Sequence, residues 1–172
     1  MRSMVDYAHA ELLHYLDCDV AIDFTMGNGH DTLFLSRHAK EVYAFDIQED
    51  ALKATQALVS SPHVHLILDS HDRFDDYISH FDTGIFNLGY MPGGDHEVTT
   101  MIETTRLAVT KAVALMNRAI VIVVYVGHEA GAKESAWLKD YCSSVDPHAF
   151  NVSSYQMLNK RHAPYVITIE KR

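Results

Sequence analysis

Cysteine is scarce in this chain, and the two that occur, Cys18 and Cys142, stand far apart and outside any C-x-x-C pair. Their placement argues against a disulfide framework or a zinc knuckle and predicts two reduced, partly buried thiols. Basic residues are also in the minority, 14 against 23 acidic ones, and the formal net charge of -9 repels polyanions. Wholesale adhesion to nucleic acid or to an anionic membrane is thereby excluded, whereas a local basic patch is not. No apolar run reaches membrane-spanning length, and the opening MRSMVDYAHAELLHYL is interrupted too often by polar residues for a signal peptide. These absences predict a cytoplasmic protein with no membrane partner. No linker or low-complexity tract divides the 172 residues, 48% of which are hydrophobic, so a single domain over 1–172 with a full core is expected. Twelve histidines are present but scattered. His63 and His65 fall on one face of a strand-like run with no cysteine or carboxylate at ligand spacing, so no metal site is expected.

Hydrophobic periodicity supplies the order of elements. Helices are predicted over 4–16, 31–39, 49–60, 99–116 and 132–144, and strands over 20–24, 42–46, 64–68, 83–87, 119–126, 149–157 and 165–170. In the long fourth helix, Ile102, Val109, Val113 and Met116 face inward. The run AIVIVVYV is almost wholly apolar and β-branched, as in a central strand covered on both faces. Alternating strands and helices predict an α/β fold with a mostly parallel seven-stranded sheet and helices on both faces. The last two strands have no helix between them, which adds one antiparallel strand.

Two loops carry the chemistry. In DFTMGNGHDT, Asp23 ends the first strand, and Gly27 and Gly29 flank Asn28 just before a helix start. Small residues there let a ligand approach the backbone beyond the carboxyl ends of the strands. A dinucleotide site calls for G-x-G-x-x-G, but Thr32 holds the third position, which weakens a nicotinamide reading. Asp46 ends the second strand, placed to accept from both hydroxyls of a ribose, with Gln48 close behind. An acid, three residues, G-x-G and a second acid after the next strand form the pattern of class I S-adenosyl-L-methionine (SAM) methyltransferases, with a Rossmann-like fold. Asp69, Ser70 and His71 then lie beside the adenine, or His71 is simply a solvated loop histidine.

In the second loop, FNLGYMPGGDH, Asn87 ends the fourth strand at the same rim of the sheet. The run NLGY has the form of the Asn-Pro-Pro-Tyr motif of methyltransferases that act on amino nitrogens. An amine attacks a sulfonium methyl only when its N–H groups are held and its lone pair is aimed. The Asn87 side-chain oxygen and the Leu88 carbonyl are the candidate acceptors, Tyr90 the surface for a flat substrate, and Gly89, Gly93 and Gly94 the turn. A protonated amine must first lose a proton. Candidate acceptors are Asp95, His96, Tyr125 and His128, each with a plainer role open to it: a helix cap for Asp95, exposure for His96, core packing for Tyr125.

Taken together, DFTMGNGHDTLFLS, AFDIQEDAL, FNLGYMPGGDH, YVGHEAGAKE and LNKRHAPYVITIEK resemble one family over nearly the whole chain. It is the family of small SAM-dependent methyltransferases once labelled rRNA methylases, the tRNA 5-aminomethyl-2-thiouridine methyltransferases. The resemblance implies N-methylation of the aminomethyl group at the wobble uridine of the tRNA anticodon stem-loop, SAM as cofactor, and a homodimer. It implies cofactor contacts at Met26, Gly27, Asn28, Gly29, Asp31, Thr32, Asp46, Gln48, Ser70, His71 and Asn87. The substrate side falls on Leu88, Gly89, Tyr90, Asp95, Tyr125, Gly127 and His128, with Asn87, Tyr90 and Asp95 catalytic. The chain departs from the family at Lys160 and Ala163, where a Gln and a second Pro are common. Lys160, Arg161, His162, Lys171 and Arg172 cluster late in the sequence, with Arg106, Lys111 and Arg118 elsewhere, and suggest a modest positive rim. Within it, Lys160 and Arg161 are the candidate RNA contacts. Methylation of ribosomal RNA or of a small amine, and a non-catalytic SAM- or RNA-binding module, remain as competing functions.

Overall fold

The structure, a computed structural model, describes the backbone of residues 2–89 and 95–172 and the side chains of 2–89 and 101–172. Helix α1 (Met4–Leu12) starts in a capping box: Ser3 Oγ accepts from the Asp6 N–H and Asp6 accepts from the Ser3 N–H, both at 3.0 Å. This satisfies two of the backbone donors that a helix start leaves unpaired. The helix stops earlier than the predicted residue 16, and the chain turns at Asp17 through a left-handed conformation (φ 57) into β1 (Cys18–Asp23). Leu12 and Leu16 are still buried, whereas Leu13 is exposed.

The remaining order is α2 (His30–Ser36), β2 (Ala39–Asp46), α3 (Glu49–Leu58), β3 (Val64–Leu68), β4 (Phe81–Asn87), α4 (Asp95–Leu115), β5 (Met116–Val124), α5 (Glu129–Ser144), β6 (Phe150–Tyr155) and β7 (Tyr165–Lys171). A 3-10 turn over His71–Asp76 was not foreseen. The strands form one seven-stranded sheet in the order β3-β2-β1-β4-β5-β7-β6, in which β7 runs antiparallel to both its neighbours, β5 and β6. This is the Rossmann-like class I methyltransferase arrangement expected from the sequence.

The pleat of the central strand sorts the core into two layers. Ile120, Ile122 and Val124 of β5 join the phenylalanines and α4, α5 side chains such as Val109 and Leu138, while Val121 and Val123 join Ala8 and Leu12 of α1 and Leu35 of α2. Alternate residues of a strand face opposite sides, so a run apolar at every position belongs to a strand buried twice over. Phe24 anchors the first layer, stacked on Phe86 at 4.0 Å and edge-on to Phe74 and Phe81. It sits directly beyond Asp23, so the same packing that holds the sheet fixes the start of the first functional loop.

Candidate functional site

The carboxyl ends of β1, β2 and β4 share one rim, with Asp23 paired in register to Ala44 and Ile85. Asp23 is fully buried; its carboxylate accepts from the Thr25 N–H at 3.0 Å and from the Thr32 hydroxyl at 2.6 Å. Burial first, and the neighbouring Asp31 second, push its pKa up to about 7. The chain then turns through Gly27 (φ 50) and Gly29 (φ 87), conformations that L side chains with a Cβ rarely adopt. At Gly29 there is also no room, since a Cβ would lie 2.8 Å from Thr55 Oγ1. Gly29 opens α2 with no side-chain cap on its first N–H groups, and Asn28 is exposed at the tip.

Asp46 accepts from the Gly27 N–H at 3.1 Å and from the Gln48 N–H at 3.0 Å, one on each oxygen. A carboxylate oxygen has two lone pairs, so each retains acceptor capacity for a ligand hydroxyl. Ile47 beside it is 63% exposed, an apolar surface at the mouth of the site that the sequence reading passed over. Met26 and Thr32 are placed differently from the other cofactor candidates. Met26 is buried with its N–H on the Phe45 carbonyl and its carbonyl accepting from Gly29, and the Thr32 hydroxyl serves Asp23. They shape the loop from behind. Ser70 gives its hydroxyl to Asp72. His71 is tied rather than solvated: Nδ1 donates to the Phe24 carbonyl at 3.1 Å, and burial lowers its pKa below the usual imidazole value.

The second loop is fastened to the first. The Asn87 N–H donates to Thr25 Oγ1 at 2.7 Å, and its side-chain Nδ2 donates to Asp31 Oδ2 at 3.2 Å. The other Asp31 oxygen accepts from His9 Nε2 at 2.5 Å, a partner from α1 that sequence reasoning missed because it is 22 residues away. Leu88 is buried with its N–H on the Val123 carbonyl. Next to it, a cavity of about 500 Å³ is lined by Gly89, Tyr125, Val126, Gly127, His128, His162 and Pro164. Burial, then Asp31, raises the Tyr125 pKa, so the group stays a neutral phenol. His128 caps α5, its Nδ1 accepting from the Gly131 N–H at 3.1 Å. Tyr90 and His96 lie outside the described residues or side chains; Asp95 begins α4, with its side chain likewise outside them.

Strand direction divides the late basic cluster. Because β7 is antiparallel, Tyr165 pairs with Val124 at the site rim whereas the far end of the strand runs past Ala119, and Lys171 Nζ donates to the Met116 carbonyl. Lys160, Arg161 and His162 are exposed on the loop ahead of β7, at the site rim; Lys171 and Arg172 are at the opposite one. Arg118 also sits at that far side, on the Tyr15 and Leu16 carbonyls, and Lys111 is paired with Asp75 at 2.8 Å. The suggested rim contracts to the 160–162 loop. Among the described residues no group of three or more His, Cys, Asp or Glu is placed to hold a metal ion, and no helix is long and apolar enough to cross a membrane. His65 bonds Glu41 of the neighbouring strand β2 at 2.6 Å, a carboxylate partner 24 residues away in the sequence.

Three carboxylates, Asp23, Asp31 and Asp46, therefore gather around a G-x-G turn. A pyrophosphate there would meet like charge, whereas a cationic ligand with ribose hydroxyls meets complementary groups. Solved structures show the same fold. A "putative methyltransferase" from Streptococcus mutans, crystallised with SAH, is 37% identical, with a TM-score of 0.86 over 100% of this chain and 99% of that one. An rRNA methylase from Streptococcus thermophilus is 31% identical, with a TM-score of 0.84 over 99% and 98%. A "tRNA (mnm(5)s(2)U34)-methyltransferase, chloroplastic" from Arabidopsis thaliana is 30% identical over 90% of this chain, which spans only 64% of that relative's length. The family model described as "Putative rRNA methylase" matches residues 42–171, and the chain belongs to that family.

Proposed function

We propose that this protein is a SAM-dependent methyltransferase of tRNA that N-methylates the aminomethyl group of 5-aminomethyl-2-thiouridine at the wobble position, giving 5-methylaminomethyl-2-thiouridine. The observation that carries the reading is the joining of the two loops: Asn87, the head of NLGY, is hydrogen-bonded through backbone and side chain to Thr25 and Asp31 of the G-x-G loop. The name of the Arabidopsis relative supports the substrate, and the SAH held by the Streptococcus mutans protein supports the cofactor.

The site fits SAM by its donor set. Gly27, Asn28 and Gly29 form its cradle, Asp46 and Gln48 take the ribose, Ile47 offers an apolar face to the adenine, and Ser70 and His71 border it. Asp31 would face the ammonium of the amino acid end, and Asp23 would brace the loop behind it. When bound, SAM supplies an electrophilic methyl group on a sulfonium. The chain's part is to hold the amine: Asn87 Oδ1 and the Leu88 carbonyl accept its N–H groups, which leaves the lone pair to point forward. By the family resemblance, Tyr90 is assigned to the flat base and Asp95 to the same catalytic set. Tyr125 stays protonated and His128 Nδ1 is already bonded, so the amine's proton leaves to water rather than to either of them.

The substrate cavity and the exposed Lys160 and Arg161 receive the anticodon stem-loop. An anticodon base is already unpaired, so few phosphate contacts suffice despite the acidic total. The protein works in the cytoplasm as a one-domain homodimer. The test is incubation with labelled SAM and tRNA carrying the aminomethyl group: methyl incorporation is expected, and Asn87→Ala cuts it to a slow residual rate while SAH still binds. No incorporation under conditions where SAH binds refutes the reading. The family description favours ribosomal RNA as the alternative acceptor; nucleoside mass spectrometry of a deletion strain separates the two by which modification disappears.

A further inference from the structure

We infer that His9 is a positioning residue for methyl transfer, acting through Asp31 to fix which edge of the Asn87 carboxamide faces the acceptor; the inference rests on the amine-holding role given to Asn87 above. A carboxamide has a donor edge and an acceptor edge of nearly the same shape, and a half-turn exchanges them. Only the acceptor edge is useful toward an amine, because an N–H donor there would occupy the lone pair that must attack. Something next to Asn87 must therefore tell nitrogen from oxygen.

Asp31 does so. A carboxylate accepts and does not donate, so Asp31 Oδ2 at 3.2 Å admits the Asn87 Nδ2 edge and repels the Oδ1 edge. Its discrimination depends on its own orientation, which His9 sets from the other oxygen at 2.5 Å. The imidazole is itself fixed. It stacks on Phe34 at 4.0 Å with planes 8° apart, and Phe34 lies three residues after Asp31 on the same helix face. The two side chains of α2 thus grip the ring by its edge and its face, and both Asp31 and His9 are largely shielded from water, at 7% and 21% side-chain exposure. The Asn87 main chain is held separately by Thr25, so loss of His9 frees the carboxamide without moving the loop.

The experiment uses His9→Phe, which keeps an aromatic ring against Phe34 but removes the donor, and His9→Gln, which keeps a donor near the same place. The Asn87 side-chain amide signals, identified by their absence in Asn87→Asp, report the carboxamide directly through their exchange with water. In His9→Phe exchange should quicken at least tenfold and single-turnover methyl transfer, measured with SAM saturating so that a looser Asp31 does not enter through cofactor affinity, should fall about tenfold, the scale of one hydrogen bond to a charged group. His9→Gln should restore both within threefold. In an Asn87→Ala background, His9→Phe should have no further effect on any residual transfer, whereas a merely structural role would add its full loss. Unchanged amide exchange in His9→Phe, fast exchange in a folded His9→Gln, or additive losses overturn the inference. Should the wild type transfer no methyl to the aminomethyl tRNA while amide exchange still follows His9, the functional reading fails and the His9–Asp31–Asn87 arrangement stands.

Discussion

Replacing Gly29 by alanine tests the first loop where two independent costs meet. The residue sits at φ 87, ψ 6, and a Cβ there would lie 2.8 Å from Thr55 Oγ1, 2.9 Å from Cγ2 and 3.0 Å from Cα. The left-handed backbone costs an L-residue roughly 1–2 kcal/mol, and forcing a methyl into a closed contact costs about 1–3 kcal/mol more. The sum, about 3 kcal/mol, lowers Tm by about 6–12 °C for a chain of this size. The second cost belongs to Thr55, so it can be removed. Thr55→Ala deletes the Oγ1 and Cγ2 contacts but gives up its hydroxyl's hydrogen bond to the Gly27 carbonyl at 3.2 Å, worth about 1 kcal/mol. Measured by urea unfolding, Gly29→Ala should then cost only about 1–2 kcal/mol in the Thr55→Ala background, a coupling of about 1–2 kcal/mol. Calorimetric titration with SAH should show weakened binding in Gly29→Ala, with partial recovery in the double variant. A Gly29→Ala protein within about 0.5 kcal/mol of wild type, or a penalty indifferent to Thr55, would show that the turn is not held as described.

Further outcomes are expected elsewhere. Gly131→Ala puts a Cβ into the Tyr125 carbonyl oxygen, so it should destabilise the protein by about 3 kcal/mol or more and weaken tRNA binding as α5 moves; near-wild-type values of both would contradict that contact. For Asp23 the folded pKa of about 7 stands above the unfolded value of 3.8, so the folded chain keeps a proton that the unfolded chain has released between those values, and stability falls as pH rises across that window. Asp23→Asn should remove that slope; parallel stability profiles for the two proteins would refute it. Binding of the anticodon stem-loop should show a shallow salt dependence, a log–log slope of about -1.5 to -2 for two phosphates. Lys160→Ala with Arg161→Ala should flatten it, and a slope near -5 would mean that many more contacts are made.

The fold was legible because one signal dominates it. Seven apolar runs at strand length, separated by helical periods, give the sheet, and β3 falls on its predicted residues 64–68. Ends were less legible for local reasons. The 3-10 turn HDRFDD carries a single buried apolar residue, Phe74, and one residue makes no period. The start of α4 at Asp95 precedes the predicted 99 because Asp95, His96 and Glu97 at its first turn leave no hydrophobic mark. At the site, the acid-ended strands and glycine turn could be read off the sequence, since their spacing is short. His9 could not, because its meaning depends on α1 docking against α2. Ile47 could have been found: an isoleucine directly after the strand-ending acid, followed by three polar residues, has nothing local to pack on. The basic residues 160–172 misled because adjacency in sequence says nothing about which end of a seven-residue strand each occupies.

That reversed last strand also decides how the molecule can be handled. It delivers Arg172 to the edge where its N–H meets the Ala149 carbonyl, a strand's length from Asn87 and the cavity beside it. A fluorescent reporter or a bead attached at Arg172 hangs below the sheet, with the rim that carries Asn87 and the cavity left open above it.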